Sequence, residues 1–169
     1  MVLSRLGSLL GQVYVEPEGR VLVRRSTRES VVSVVIAVGA LFFAVSGVWA
    51  FAAPQSFYDG IATYPPYNAH FIRDIGAFLF GLGAVLVGAL AWRDVRLVVL
   101  VGAAVAAGLH WASHLIDHDH GGRAADPWLT GAFALLILTG LVVQLTMRTA
   151  GTQAPAQDEL STSDEGARR

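Results

Sequence analysis

Four long apolar runs separated by short polar stretches dominate the pattern along the chain. They cover residues 31–53, 69–92, 95–116 and 127–147. Each reaches the length of about 20 residues that crosses the hydrocarbon core of a bilayer. The first run ends at Pro54, and Asp126-Pro127 offers a helix start for the fourth. Residues 31–58 and 75–91 carry no charge, so the charged outer stripe of a soluble amphipathic helix is missing. A segment in lipid must satisfy its own backbone hydrogen bonds, which makes these runs helices rather than strands. The pattern predicts an all-α integral membrane protein, a four-helix bundle.

The polar stretches orient it. Residues 1–30 carry Arg5, Arg20, Arg24, Arg25 and Arg28, the 93–96 turn carries Arg93 and Arg96, and Arg148 follows the fourth run. The 54–70 loop has no arginine before Arg73, and the 117–126 loop sets Arg123 against Asp117, Asp119 and Asp126. By the positive-inside rule both termini are cytoplasmic and the chain is a multi-pass protein of the plasma membrane. Residues 12–28 alternate around a Pro-Glu-Gly turn and predict a small cytoplasmic hairpin or an interfacial arm. Residues 148–169 are small, polar and mixed in charge, and predict a disordered tail.

Composition narrows the chemistry. The chain is 54% apolar with a formal net charge of −1, which favours a bilayer as partner and gives no footing for nucleic acid. It has no cysteine, which excludes disulfides and thiolate chemistry, and no lysine, which excludes Schiff-base catalysis and a P-loop. With no charge at mid-span, four short helices offer no ion path in a monomer.

The second and third spans are joined by a tight turn and must form an antiparallel hairpin. Their small residues, Ala77, Gly81, Ala84 and Gly88 against Gly102, Ala103, Ala106, Ala107 and Gly108, predict close packing. Counted outward from the turn, Asp74 is level with His114 and His70 with His118. The spacings 70, 74, 78 and 110, 114, 118 each follow one helix face. This predicts one polar cluster at the outer end: His70, Asp74, His110 and His114, with Arg73 beside it.

Three roles fit such a cluster. His-x-x-x-His with a carboxylate and a further imidazole is a ligand set for a divalent metal, Zn, Cu or Fe, drawn from His70, Asp74, His110, His114 and His118. A cavity lined by Trp49, Phe71, Phe78 and Trp111 would instead take a quinone, a lipid or an isoprenoid tail, its head held by His and Arg. Paired histidines admit haem in principle, less readily. In the third role the polar groups pin helix register, Arg73 snorkels to head groups, and the tryptophans at span ends form an aromatic belt.

The stretch from Tyr64 to Phe78, with Asn68, His70, Phe71, Arg73, Asp74 and Gly76, and the later His110-Trp-Ala-Ser-His114 pair, resembles a family of uncharacterised actinobacterial four-helix membrane proteins. It is more distantly similar to the DoxX-like superfamily of small bacterial membrane proteins. The resemblance covers about residues 31–147. It implies no defined activity, and DoxX-like relatives suggest a membrane accessory to a redox or envelope protein. The expectation is an accessory or ligand-binding protein of the cell envelope, the alternative a metal- or quinone-dependent membrane oxidoreductase.

Overall fold

The structure, a computed structural model, describes residues 12–15, 21–24 and 26–166, with side chains from 26 to 149. The elements in order are β1 (Gln12–Val15), β2 (Val21–Arg24), α1 (Thr27–Ala52), α2 (Pro54–Gly60), α3 (Ala69–Ala91), α4 (Arg96–Ile116) and α5 (Asp126–Gly166). Two compact units are distinguished, residues 32–141 and the two chain ends, 1–31 with 142–169. In the unit of the ends, β1 pairs antiparallel with β2, Gln12 opposite Arg24 and Val15 opposite Val21. The turn expected between these strands lies outside the described residues.

Four helices are long and apolar enough to cross a membrane: Thr27–Ala52, Ala69–Ala91, Arg96–Ile116 and Asp126–Thr149. Their surfaces fit lipid rather than water. Leu41, Phe78, Val98, Leu109 and Leu135 are all more than half exposed, an apolar coat that water would penalise.

Helix boundaries follow local chemistry rather than hydropathy. α1 starts ahead of the apolar run because the Ser26 hydroxyl accepts the Glu29 backbone N–H at 3.3 Å, the N-terminal half of a capping box. Within the 54–70 loop, Pro54 opens α2, its preset φ suited to a first helical turn. Asn68 caps α3 by accepting the Phe71 N–H at 3.1 Å. α5 continues beyond its apolar part to Gly166, where a disordered tail was expected from residue 148. An already formed helix extends without a new nucleation cost, so a polar segment of modest helix propensity can follow it.

The core of the 32–141 unit centres on α1. In its most apolar window 39% of residues are buried, against 22%, 17% and 28% in the other three spans. The buried positions Val32, Val35, Ile36, Gly39, Ala40, Phe43, Gly47 and Ala50 recur every three or four residues, one helical stripe. Toward α3 the stripe is nearly all backbone. A Cβ on Gly47 would lie 2.8 Å from the Gly76 carbonyl oxygen, one on Gly76 2.6 Å from the Phe51 nitrogen, and one on Gly83 2.7 Å from the Ala44 nitrogen. The contacts run in opposite directions along the two helices, so they are antiparallel. Toward α5, Val35 lies on Gly140 and Ile137 on Gly39, and Phe42, Phe43 and Phe133 form a ring cluster with centroids 4.3–5.5 Å apart.

This corrects part of the expected seam. Gly81, Gly102 and Gly108, assigned to a close-packed hairpin, have nothing within 4 Å of a built Cβ, and Ala77, Ala84 and Ala106 are exposed, whereas Ala103 and Ala107 are buried. At the turn between α3 and α4, the buried Arg96 donates from Nε to the Ala89 carbonyl at 3.0 Å. That bond satisfies one of the carbonyls a helix C-terminus leaves open.

Candidate functional site

Two connecting loops, 61–68 and 117–125, meet at the end of the 32–141 unit away from the α3–α4 turn. The meeting depends on two glycines. Gly121 and Gly122 have φ of 147° and 77°, a region L side chains seldom adopt. Neither has room for a side chain: a Cβ would fall 2.9 Å from the Thr63 carbonyl oxygen at Gly121, and 2.7 Å from the Tyr64 ring at Gly122. The Gly122 N–H donates to the Thr63 carbonyl at 3.2 Å. Asp126 fixes the other end of the loop, its carboxylate accepting the Arg123 N–H at 2.7 Å. As a carboxylate in the first turn of α5 it also sits where the helix dipole favours negative charge.

This arrangement lays Tyr64 on the last turns of α4. Its hydroxyl lies 3.0 Å from Nδ1 of His114, with the rings edge to face at 5.8 Å between centroids. His110, one helical turn earlier, meets the His114 ring edge-on at 4.7 Å. Beside the Tyr64–His114 pair lies an open-sided cleft of about 340 Å³, lined also by His118, Arg123 and Pro127 with the two glycines. A volume in this range accommodates a small molecule or a lipid head. Burial, then the charge of Asp126, then that of Asp117, pushes the Tyr64 phenol above its ordinary pKa, so its proton stays in place.

The remaining sequence candidates lie elsewhere. His70 Nε2 is 3.5 Å from Asp74 Oδ2, one turn apart on α3, with side chains 87% and 53% exposed. Arg73 is exposed as well, and Phe78 on the same face is 81% exposed. The opposite face of α3, with Ile72, Gly76, Gly83, Leu86 and Ala89, is the buried one. The stripe 70, 74, 78 therefore points out of the protein rather than toward His110 and His114. Phe71 and Phe78 are too exposed to line the expected cavity with Trp49 and Trp111. Trp49 instead packs on Phe57 and donates to the Ser56 hydroxyl at 3.2 Å, and Trp111 packs on Gly131.

The expected metal set is not assembled either. Among the described residues no group of three or more His, Asp or Glu side chains is placed to hold a metal ion. His118 pairs with Asp119 at 3.0 Å, and His120 stands 3.9 Å from Asp117, so the loop histidines are engaged locally. Of the named residues, the structure joins His110 and His114 and brings His118 to the same cleft.

Tyr64, Gly121, Gly122 and Arg123 were not singled out from the sequence as site residues. The Gly-Gly pair is a turn signal, but nothing in it says which loop the turn will meet. No protein-family model matches the chain, and no curated protein and no solved structure is similar to it.

Proposed function

We infer that this chain is a multi-pass protein of the plasma membrane, a four-helix bundle with both termini in the cytoplasm. It serves as an accessory or ligand-binding protein of the cell envelope, and its binding site is the cleft at Tyr64 and His114. The carrying observation is the Tyr64–His114 hydrogen bond, 3.0 Å long, on the wall of a cleft of about 340 Å³. A polar pair joining a loop to the end of an apolar span, at the mouth of a cleft, can present a recognition site to molecules at the bilayer edge. The orientation is supported by the sequence positions of Arg28, Arg93, Arg96 and Arg148 beside the spans, against the alternate connections 54–68 and 117–126 with Arg123 and four aspartates. For the alternative, a metal- or quinone-dependent oxidoreductase, no group of three or more His, Asp or Glu side chains is placed to hold a metal among the described residues.

The test is co-purification. Protein extracted in mild detergent, with and without Tyr64→Phe and His114→Ala, is analysed for bound small molecules by mass spectrometry. The expected result is a molecule enriched with the natural chain and depleted in both variants. Equal small-molecule content in all three would sink the reading. Orientation is checked separately: the chain has no cysteine, so Ser56→Cys gives a single thiol that should react with an impermeant reagent added outside intact cells.

A further inference from the structure

The charges around the cleft restrict what it can hold, given the binding role inferred above. The lining offers polar groups: the Arg123 guanidinium, the Tyr64–His114 pair and the His118 imidazole, whose Nε2 is held by Asp119. The Tyr64 hydroxyl and Nδ1 of His114 share one hydrogen bond at 3.0 Å, whose donor is set by the tautomer of the imidazole. In the tautomer that accepts from the phenol at Nδ1, the second ring nitrogen, Nε2, carries the hydrogen and is a donor as well.

Net charge decides between ligand classes. Asp117, Asp119 and Asp126 stand in the same short loop against Arg123 and two histidines, so the loop is negative at neutral pH. An anionic head would meet that field. A cationic head would meet Arg123 on the wall itself, where no carboxylate among the described residues lines the cleft. An uncharged acceptor meets neither penalty and satisfies the donors, which would otherwise go unpaired on leaving water.

Beside the polar wall the surface is apolar. Ile116, Trp128 and Leu129 are 74%, 81% and 66% exposed, and each is a near neighbour in the chain of a lining residue, His114, His118 or Pro127. They give an apolar tail a path between the cleft and the bilayer.

We propose that the cleft binds the uncharged, hydrogen-bond-accepting head of an amphiphile, a ketone, aldehyde or ester oxygen, whose apolar tail lies along Ile116, Trp128 and Leu129 in the lipid. The test uses the full chain in nanodiscs and photoreactive probes that share one alkyl tail and end in a methyl ketone, a carboxylate or a trimethylammonium group. Labelled peptides are mapped by mass spectrometry. The ketone probe should label residues 114–129, with apparent affinity lowered about tenfold in His114→Ala, the fold-change expected when a ligand loses one good hydrogen bond. Arg123→Gln, at an exposed position where folding is not at stake, should lower it severalfold.

The outcomes separate the two levels of inference. Stronger labelling of 114–129 by the carboxylate or the ammonium probe overturns the uncharged-head class and leaves the cleft as a binding site. Labelling of that segment by no probe, or equally in the natural chain and both variants, overturns the cleft itself.

Discussion

Two groups of glycines share one helix and teach opposite lessons. On α3, Gly76 and Gly83 face α1, and a methyl group on either would fall within 3 Å of α1 backbone atoms. Gly81 lies between them in sequence, on the outward surface, and has nothing within 4 Å. Gly102 and Gly108 on α4 are open in the same way. The first group lets two backbones approach, so that dispersion contacts replace the hydrophobic drive that lipid does not supply. In the second group an added methyl would meet nothing within 4 Å. Composition alone makes the two groups look alike.

The comparison breaks most visibly at Gly47. Gly47→Ala places its methyl against Gly76 and Phe80 backbone atoms, which cannot rotate away, so α1 and α3 must separate. The expected loss is about 3 kcal/mol of stability, measured by reversible unfolding in mixed micelles. A loss below about 0.5 kcal/mol, the usual size at an inert surface position, would mean that α1 and α3 do not touch as described. Gly131→Ala grades the rule. Its nearest neighbour is the Trp111 indole, 2.8 Å from the built Cβ, and a side chain can yield where backbone cannot. About 1–2 kcal/mol is expected, with a change in tryptophan emission as Trp111 shifts. An effect as large as that of Gly47→Ala would show that the kind of neighbour does not matter.

The spans were legible because a run of about 20 uncharged residues has few alternatives to a membrane helix. Their ends were less so: Ser26 and Asn68 set the starts of α1 and α3 through single hydrogen bonds that hydropathy does not weigh. Which face of α3 packs was not legible. The positions 70, 74, 78 and 72, 76, 83 are both regular, and periodicity defines a face without naming its partner. The polar stripe was assigned inward because counting outward from the turn put Asp74 level with His114 and the small residues were expected to face each other. His70 and Asp74 lie in the first two turns of α3, near enough to its end to remain exposed while paired with each other. Half of the site was legible, since His110 and His114 must share a face one turn apart. Tyr64 lies fifty residues from His114, and the contact exists only because Gly121 and Gly122 let one loop lie on the other. No local pattern encodes that meeting.

The polar contact itself should be modest in stability terms. Tyr64→Phe removes one hydrogen bond at a half-exposed site where water can replace it, so about 1 kcal/mol is expected. The pH dependence has a definite sign. The phenol's folded pKa is raised above the ordinary 10.0, so its contribution is complete below that value and is lost as the pH rises through the folded value. Absorbance titration of the tyrosines should lose its highest-pH component in Tyr64→Phe. An unchanged titration curve would mean that burial and the Asp126 and Asp117 charges do not together raise this phenol.

The smallest effect is the one that separates the two glycine groups by sign. Gly81→Ala adds a methyl group where the structure offers open space, on the face α3 turns outward. Nothing is displaced, and the helix loses the entropic cost that glycine carries, so stability should rise by about 0.5 kcal/mol. The same substitution at Gly83, seven residues apart in register terms from Gly76 on the buried face, should lower it, because its methyl would meet the Ala44 backbone. Helix propensity is common to both substitutions, so the difference between the two measurements isolates packing. A fall in stability at Gly81 would mean that its face is covered in the folded protein, and that the outward stripe of α3 packs against something after all.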